Sequence, residues 1–514
     1  MKNFILILLT FLISAAVAEA QVRYLEPVFD EVTVQREEYG SNISIITGQP
    51  METPLLMDVY QPVGDTETER PVIIVPHTGS FLPPIFNGTT SGDLGDSTLV
   101  EVCTRLAQRG YVAVGMTYRL GWQPEAADPN VRKGSLLQAV YRSVQDSRTC
   151  VRNLRRTVDE ENNPFGIDQD RIGMFGIGSG GYVSFAAGCL DDYSEVLLDK
   201  FLDSQTNLPL IDTTILGNFD ATEAGALCIP NHVGYDSDFD IAVNIGGALG
   251  DMSWIDGREN EPAYCGFHCL RDPFAPWFRG IVIVPTTREN VVEVSGTREA
   301  VQMANDRGNN TVLEGIPAAI DPIQPIVDVL SGIPVDYNGF QTTLATNNMY
   351  TFITPDLQGS PWDWWDLNVI RAKVAAINMQ FGTNFDADLI HQNGLLTNAD
   401  MSAQKARTYL DTVFAYATPR IYTALELSVN NDEIAETDVE LKFGPNPATA
   451  FVNIEANEKI EKLQVFDARG LLVKSQEINQ HQFRLPLLDL QRNQIYFVRM
   501  EFGSGYLIKQ LSLH

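Results

Sequence analysis

Histidine is scarce in this chain, and the scarcity limits its chemistry. Six histidines stand among 514 residues, and two of them, His481 and His514, lie near the C-terminus. Basic residues are also in deficit: 36 Lys and Arg against 66 Asp and Glu leave a net charge of -30. That balance excludes nucleic acid and anionic membrane surfaces as partners. No H-E-x-x-H motif, phosphate-binding loop or full dinucleotide fingerprint occurs, so no metal and no cofactor is expected. Beyond the N-terminus no apolar run is long enough to cross a bilayer, which excludes a transmembrane segment after leader removal. What remains is ordinary globular composition, 44% hydrophobic and 20% charged, sufficient to bury a sizeable core. The length suits one enzyme-sized domain and one smaller domain.

The first 20 residues read as an export signal. Lys2 supplies a positive start, residues 4–17 are apolar, and Ala18-Glu19-Ala20 forms a cleavage site before Gln21. In an exported chain, six cysteines suggest disulfides or plain thiols. All six lie between Cys103 and Cys269. Cys103 with Cys150 would join two helices, and Cys265 with Cys269 would close a small loop. A metal site at Cys265, His268 and Cys269 lacks a second ligand cluster and is set aside.

From residue 21 to 429, strand and helix signals alternate, which implies a mostly parallel sheet flanked by helices. Residues 71–75, Pro-Val-Ile-Ile-Val, form the short apolar run of a strand buried on both faces. Further strands are expected at 54–62, 111–118, 171–175, 241–245, 263–267 and 349–353. Helices are expected at 99–109, at 135–157 with Ser135 as N-cap, within 293–308, and at 402–425. The stretch 310–348 reads only as an insertion. Residues 430–439 are polar and acidic, a linker.

Residues 440–514 carry short alternating strands split by Asn and Gly turns, as in a small all-β sandwich. Pro445-Asn446-Pro447, the strand-turn Val465-Phe466-Asp467-Ala468-Arg469-Gly470, Ile495-Tyr496-Phe497-Val498 and Lys509 resemble the type A sorting domain of the type IX secretion system. Asn493-Gln494 departs from that family's usual Pro-Gly-type turn. The resemblance implies the secretion machinery as partner, transit of the periplasm and outer membrane, and release or surface attachment.

The strand at 171–175 runs into Gly176-Ile177-Gly178-Ser179-Gly180-Gly181. Together with Asp168 to Phe175, this segment resembles the nucleophile elbow of lipase-type carboxylesterases, which have the α/β-hydrolase fold. His77-Thr78-Gly79-Ser80-Phe81 stands where that family carries its oxyanion loop, and Arg109-Gly110-Tyr111-Val112 and Tyr118-Arg119-Leu120 match its next strand. The resemblance covers most of residues 54–190.

Counting from Arg171-Ile172, the resemblance puts Gly178, not a serine, at the nucleophile position, with Ser179 as the small residue after it. A one-residue shift would make Ser179 the nucleophile but would leave Ile177 where the crowded turn wants glycine. The strand before Asp272 matches the family's acid strand and puts Asp272 at the triad acid, with His268 as a loop residue. The base should lie in the loop 355–366, which holds no histidine. His391 alone has the right chain order. Losing the serine or histidine of a triad costs on the order of 10^6 in kcat, and the losses do not add. The expected function is therefore a secreted or surface-attached carboxylesterase-like protein, catalytically impaired and serving to bind a small molecule or glycan. Trp362, Trp364 and Trp365 are candidate ligand-facing aromatics or, alternatively, core packing beneath a lid. The competing expectation is an active ester hydrolase using Ser179, Asp272 and His391, with the oxyanion loop at His77, Thr78 and Gly79.

Overall fold

The computed structural model describes residues 22–284, 287–354, 357–427, 439–467, 472–492, 494–503 and 505–513. The leader expected at 1–20 and all but the last residue of the linker expected at 430–439 lie outside the described residues.

In chain order the first strands are β1 (Val32–Ser44), β2 (Met51–Pro62), β3 (Arg70–Pro76), β4 (Val112–Met116), β5 (Ile167–Ile177) and β6 (Ile241–Ile245). There follow β7 (Ala248–Leu249), β8 (Ala263–Cys269), the hairpin β9 (Arg279–Ile283) and β10 (Asn290–Gly296), the ribbon β11 (Pro334–Tyr337) and β12 (Phe340–Thr343), and β13 (Met349–Phe352). Eight of these form one sheet in the order β1-β2-β4-β3-β5-β6-β8-β13. Its first two pairings are antiparallel and the other five parallel. This order and direction are those of the α/β-hydrolase fold.

β3, β4, β6, β8 and β13 are buried throughout, because helices cover both faces. On one face lie α2 (Pro129–Glu160), α3 (Ser179–Cys189) and α5 (Thr297–Arg307); on the other lie α1 (Ser97–Gln108), α6 (Gln324–Ser331) and α9 (Ala403–Ala424). The stretch expected only as an insertion thus supplies a core helix: Ile326, Val327 and Leu330 of α6 pack under the sheet. A short helix, α4 (Thr213–Leu216), lies in the loop after α3. The pair α7 (Leu367–Phe381) and α8 (Ala387–Thr397) is held by a small separate cluster of Ile85, Ile370, Val374 and Ile390.

Two expectations need correction. α2 starts six residues before Ser135: Asp128 caps it by accepting from Asn130 N at 2.8 Å, and Pro129 takes the first turn, where a missing N–H is harmless. Ser135 Oγ bonds Arg132 O inside the helix instead. The cysteines are also unpaired, all six free and buried. Cys103 and Cys150 belong to cores on opposite sides of the sheet. Cys265 and Cys269 share β8, where an extended chain holds residues four apart at roughly 13 Å, about twice the reach of a disulfide.

The C-terminal domain comprises β14 (Leu441–Gly444), β15 (Phe451–Asp467), β16 (Leu472–Pro486), β17 (Gln494–Phe502) and β18 (Gly505–Leu513), all antiparallel. β15 breaks register between Glu455 and Ile460. Its first half pairs with β14 and its second with β17, while Val452, Ile454, Leu463 and Val465 from both halves share one core. No helix of the described residues is long and apolar enough to cross a membrane.

Candidate functional site

β5 ends in a turn whose apex is Gly178, with φ 56° and ψ -115°, and α3 begins at the next residue. That φ lies in the region glycine enters freely and other residues enter under strain. The neighbouring glycines are dictated by close approach of other atoms. A Cβ on Gly176 would collide with Gly180 O, one on Gly180 with Pro76 O, and one on Gly181 with the Asn244 side chain. A Cβ on Gly178 would fall far inside contact distance of Thr78 Oγ1.

The Ser179 hydroxyl is engaged by Tyr118. Ser179 is 6% exposed, and its Oγ lies 3.0 Å from Tyr118 Oη, which donates to His77 O at 2.8 Å. The hydroxyl hydrogen of Ser179 therefore goes to Tyr118. His77 stacks on the Tyr118 ring, with centroids 4.4 Å apart.

The loop opposite the elbow has three successive residues at positive φ: Gly79, Ser80 and Phe81. Two of them are not glycine, so the surrounding bonds must hold the loop against its preference. Asn87 Nδ2 donates to Gly79 O at 3.1 Å and Ser91 O at 2.7 Å, and Trp122 Nε1 donates to Ser80 O at 2.9 Å.

His77 is buried within this loop, and burial pushes its imidazole down to about 4, outweighing the bond its Nδ1–H makes to Thr78 O. As pH falls through about 6.5, the unfolded chain takes up this proton, whereas the folded chain resists until about 4. Stability from His77 is complete above 6.5 and is lost between 6.5 and 4, about 3 kcal/mol in all. Buried carboxyls such as Asp240, raised to about 6 by burial, act in the opposite sense. The check is a difference in urea unfolding between wild type and His77→Gln. The balance should move by up to ~3 kcal/mol toward the variant between about pH 7 and about pH 4.5; an unchanged gap would assign the effect elsewhere.

Asp272 lies in the turn after β8. Its Oδ1 accepts from Phe274 N at 2.7 Å and Ala275 N at 3.1 Å, and its Oδ2 is 3.6 Å from His268 Nε2. His391 lies on α8, where its Nδ1 accepts from Trp365 Nε1 at 3.1 Å. Ser179, Asp272 and His391 thus each have separate partners, and no hydrogen bond joins them among the described residues. Among the described residues of the loop after β13, Gly359 lies beside Asp272. A Cβ there would stand 3.3 Å from Asp272 Oδ1 and 2.9 Å from Phe274 Cδ2.

A cavity of about 530 Å³ opens over the elbow. Thr78, Gly79, Gly178 and Ser179 form its floor, and Asp272 stands at one side. Beneath α8, the wall is polar, with Asn393, Thr397 and Asn398. Toward α2 and the β9–β10 hairpin it is hydrocarbon, including Leu136, Val140, Val196, Phe201, Val292 and Val294. Trp365 reaches this space. Trp362 is fully buried against Phe352, and Trp364 is half-buried beneath the Arg407 guanidinium. No cluster of His, Cys, Asp or Glu among the described residues is arranged to hold a metal ion.

The C-terminal residues decide the export route, since residues 442–513 match the family described as the secretion system C-terminal sorting domain. The chain carries a sorting domain. It is therefore exported, to the cell surface or into the medium, and the secretion machinery engages it through this domain. No curated protein matches the chain. Solved structures similar to it include Thermogutta terrifontis esterase 2 phosphoramylated by tabun, 16% identical over 53% of this chain and 79% of that one, with a TM-score of 0.31. The butyrate-bound esterase from the same organism is 16% identical over 53% and 80%, with a TM-score of 0.30.

The sorting domain leaves the cavity entirely to the larger domain, and part of that cavity could not be read from sequence. Asp363 lines it as a buried carboxyl pushed up by burial, anchored by Ser91 Oγ at 2.9 Å and Thr98 Oγ1 at 3.0 Å. These partners are more than 250 positions away, and no local pattern announces them.

Proposed function

We propose that this exported protein uses its α/β-hydrolase scaffold to bind a small molecule in the cavity above the elbow and does not turn over esters. The observation that carries this reading is Gly178 at the apex of the turn, the position from which a nucleophile's side chain would have to project. Two further features support it. Thr78 fills the space above the apex, and Phe274 fills the space beside Asp272 where the loop after β13 would present a base. Ser179 gives no substitute, because its hydroxyl is engaged by Tyr118.

The hydrocarbon wall with a few polar groups is the usual make-up of a small-molecule pocket, and about 530 Å³ falls in the customary range. Of Trp362, Trp364 and Trp365 only Trp365 lines the cavity, beside Trp122 and Trp254, and the hydrocarbon wall favours an amphipathic small molecule over a glycan. The test uses the full chain, p-nitrophenyl butyrate and a fluorophosphonate probe. Wild type and Ser179→Ala should show the same negligible turnover, and neither should be labelled. Turnover or labelling that Ser179→Ala abolishes would restore the hydrolase reading.

A further inference from the structure

In β17, Tyr496, Val498, Met500 and Phe502 enter the small domain's own core, so Phe497 and Arg499 between them stand on the opposite face of the sheet. Phe466 of β15 lies directly opposite Phe497, and Ile508 of β18 directly opposite Arg499, so all four share that face. On a freely standing small domain these apolar side chains would meet water. Instead Phe466 and Phe497 are 7% and 6% exposed, and together with Ile508 they join the apolar cluster that runs beneath the central sheet of the large domain. Arg499 fixes the place of contact. Its Nη2 donates to Ala319 O at 3.3 Å, in the turn ahead of α6. Within the small domain the guanidinium is held by Glu501 at 3.3 Å, by Gln464 Oε1 at 3.4 Å and by the Tyr506 ring.

We propose that the large domain carries a seat for its own sorting domain, and that this latch hides Phe466, Phe497 and Arg499 from any other partner until it opens. Burying one phenylalanine shifts a docking equilibrium by roughly ten-fold or more. Residues 428–438 connect the two domains, so docking is an encounter within one chain, and a contact too weak to join separate molecules stays closed. Nothing covalent closes the latch, so a stronger competitor for the same face can open it. The secretion machinery therefore meets the sorting domain with this face covered. It must grip the exposed side, where most of β16 lies open, or displace the large domain first.

Crosslinking of the full-length protein tests the latch. Ala319→Cys and Gln464→Cys are introduced together, because the Arg499 guanidinium touches both residues. A short bismaleimide should join the two new thiols, while the wild type, whose six cysteines are all buried, should not crosslink. Adding Phe497→Asp places a charge in the contact and leaves the small domain's own core untouched, and should slow the crosslink about ten-fold or more. Ile508→Glu, at a half-buried position on the same face, gives a second reading if Phe497→Asp disturbs the small domain. Chemical unfolding shows whether each variant is folded. Small-angle scattering of the wild type should fit one compact particle, and the folded variants should give a larger maximum dimension. Wild-type scattering from two separated bodies, or an unchanged crosslinking rate in a folded variant, would overturn the latch.

Discussion

Gly178→Ser alone is expected to yield a less stable protein with no esterase activity, whereas Gly178→Ser with Thr78→Gly, Gly359→His and Phe274→Ala is expected to hydrolyse p-nitrophenyl butyrate. The single change puts a side chain onto Thr78 Oγ1 at a backbone conformation only glycine adopts without strain. That strain costs on the order of 1–3 kcal/mol before the collision is counted. Removing the Thr78 side chain clears the apex. Gly359 has no positive φ to forbid a side chain, and a histidine there would start 3.3 Å from Asp272 Oδ1 once Phe274 is trimmed. The ceiling on the gain is the effect of a triad, on the order of 10^6 in kcat. Imperfect geometry lowers it steeply, and a rise of about 10^2 over wild type would already show that the vacated positions are correctly identified. Labelling by a fluorophosphonate gives a second readout. A folded combined variant with neither turnover nor labelling would refute the identification.

Gly180→Ala should be strongly destabilising for a change that adds a single methyl. Its Cβ would strike Pro76 O and stand 2.8 Å from His77 O, both backbone atoms at the end of β3. Relief would mean shifting α3 against the central sheet, where the interior is close-packed on both sides. A loss of at least about 3 kcal/mol is expected in chemical denaturation, in the range of severe core disruptions. Gly332→Ala is the control. Its Cβ would lie 3.5 Å from Val329 O, ordinary contact, and the loss should stay within about 1 kcal/mol. Equal losses at the two positions would mean that the elbow is softer than its backbone contacts imply.

The central strands were legible because burial on both faces leaves a plain mark: Val72 to Val75 is an unbroken apolar run, and Ile241 to Ile245 is broken only by Asn244. The elbow was legible because its glycines stand where a neighbouring atom leaves no room for a side chain, backbone at Gly176 and Gly180 and side chain at Gly178 and Gly181. Other features were not. The early turns of α2 hold Arg132 and Lys133, which mask a helix that Asp128 and Pro129 do announce. In β15 the break near residue 457 reads as a strand end, although the chain continues into a second pairing. Thr78 meets Gly178 across 100 positions, and Phe274 meets Gly359 across 85. Such contacts leave no periodicity behind. The same holds for the hydrocarbon chamber, whose walls come from α2 and from the β9–β10 hairpin.

The six buried thiols set a condition on how this chain must travel. Export takes it into surroundings where thiols oxidise. An unfolded copy offers all six at once, with roughly 15 complete pairings available. Any bond between Cys103 and Cys150 would tie together segments that the native sheet holds on opposite faces. Folding must therefore outrun oxidation, and the finished sheet then acts as the shield that keeps every sulfur reduced. For a weakened variant, the danger is not a small equilibrium population of open chains. Each opening is a chance for an irreversible wrong crosslink, so survival outside the cell is governed by the rate of unfolding.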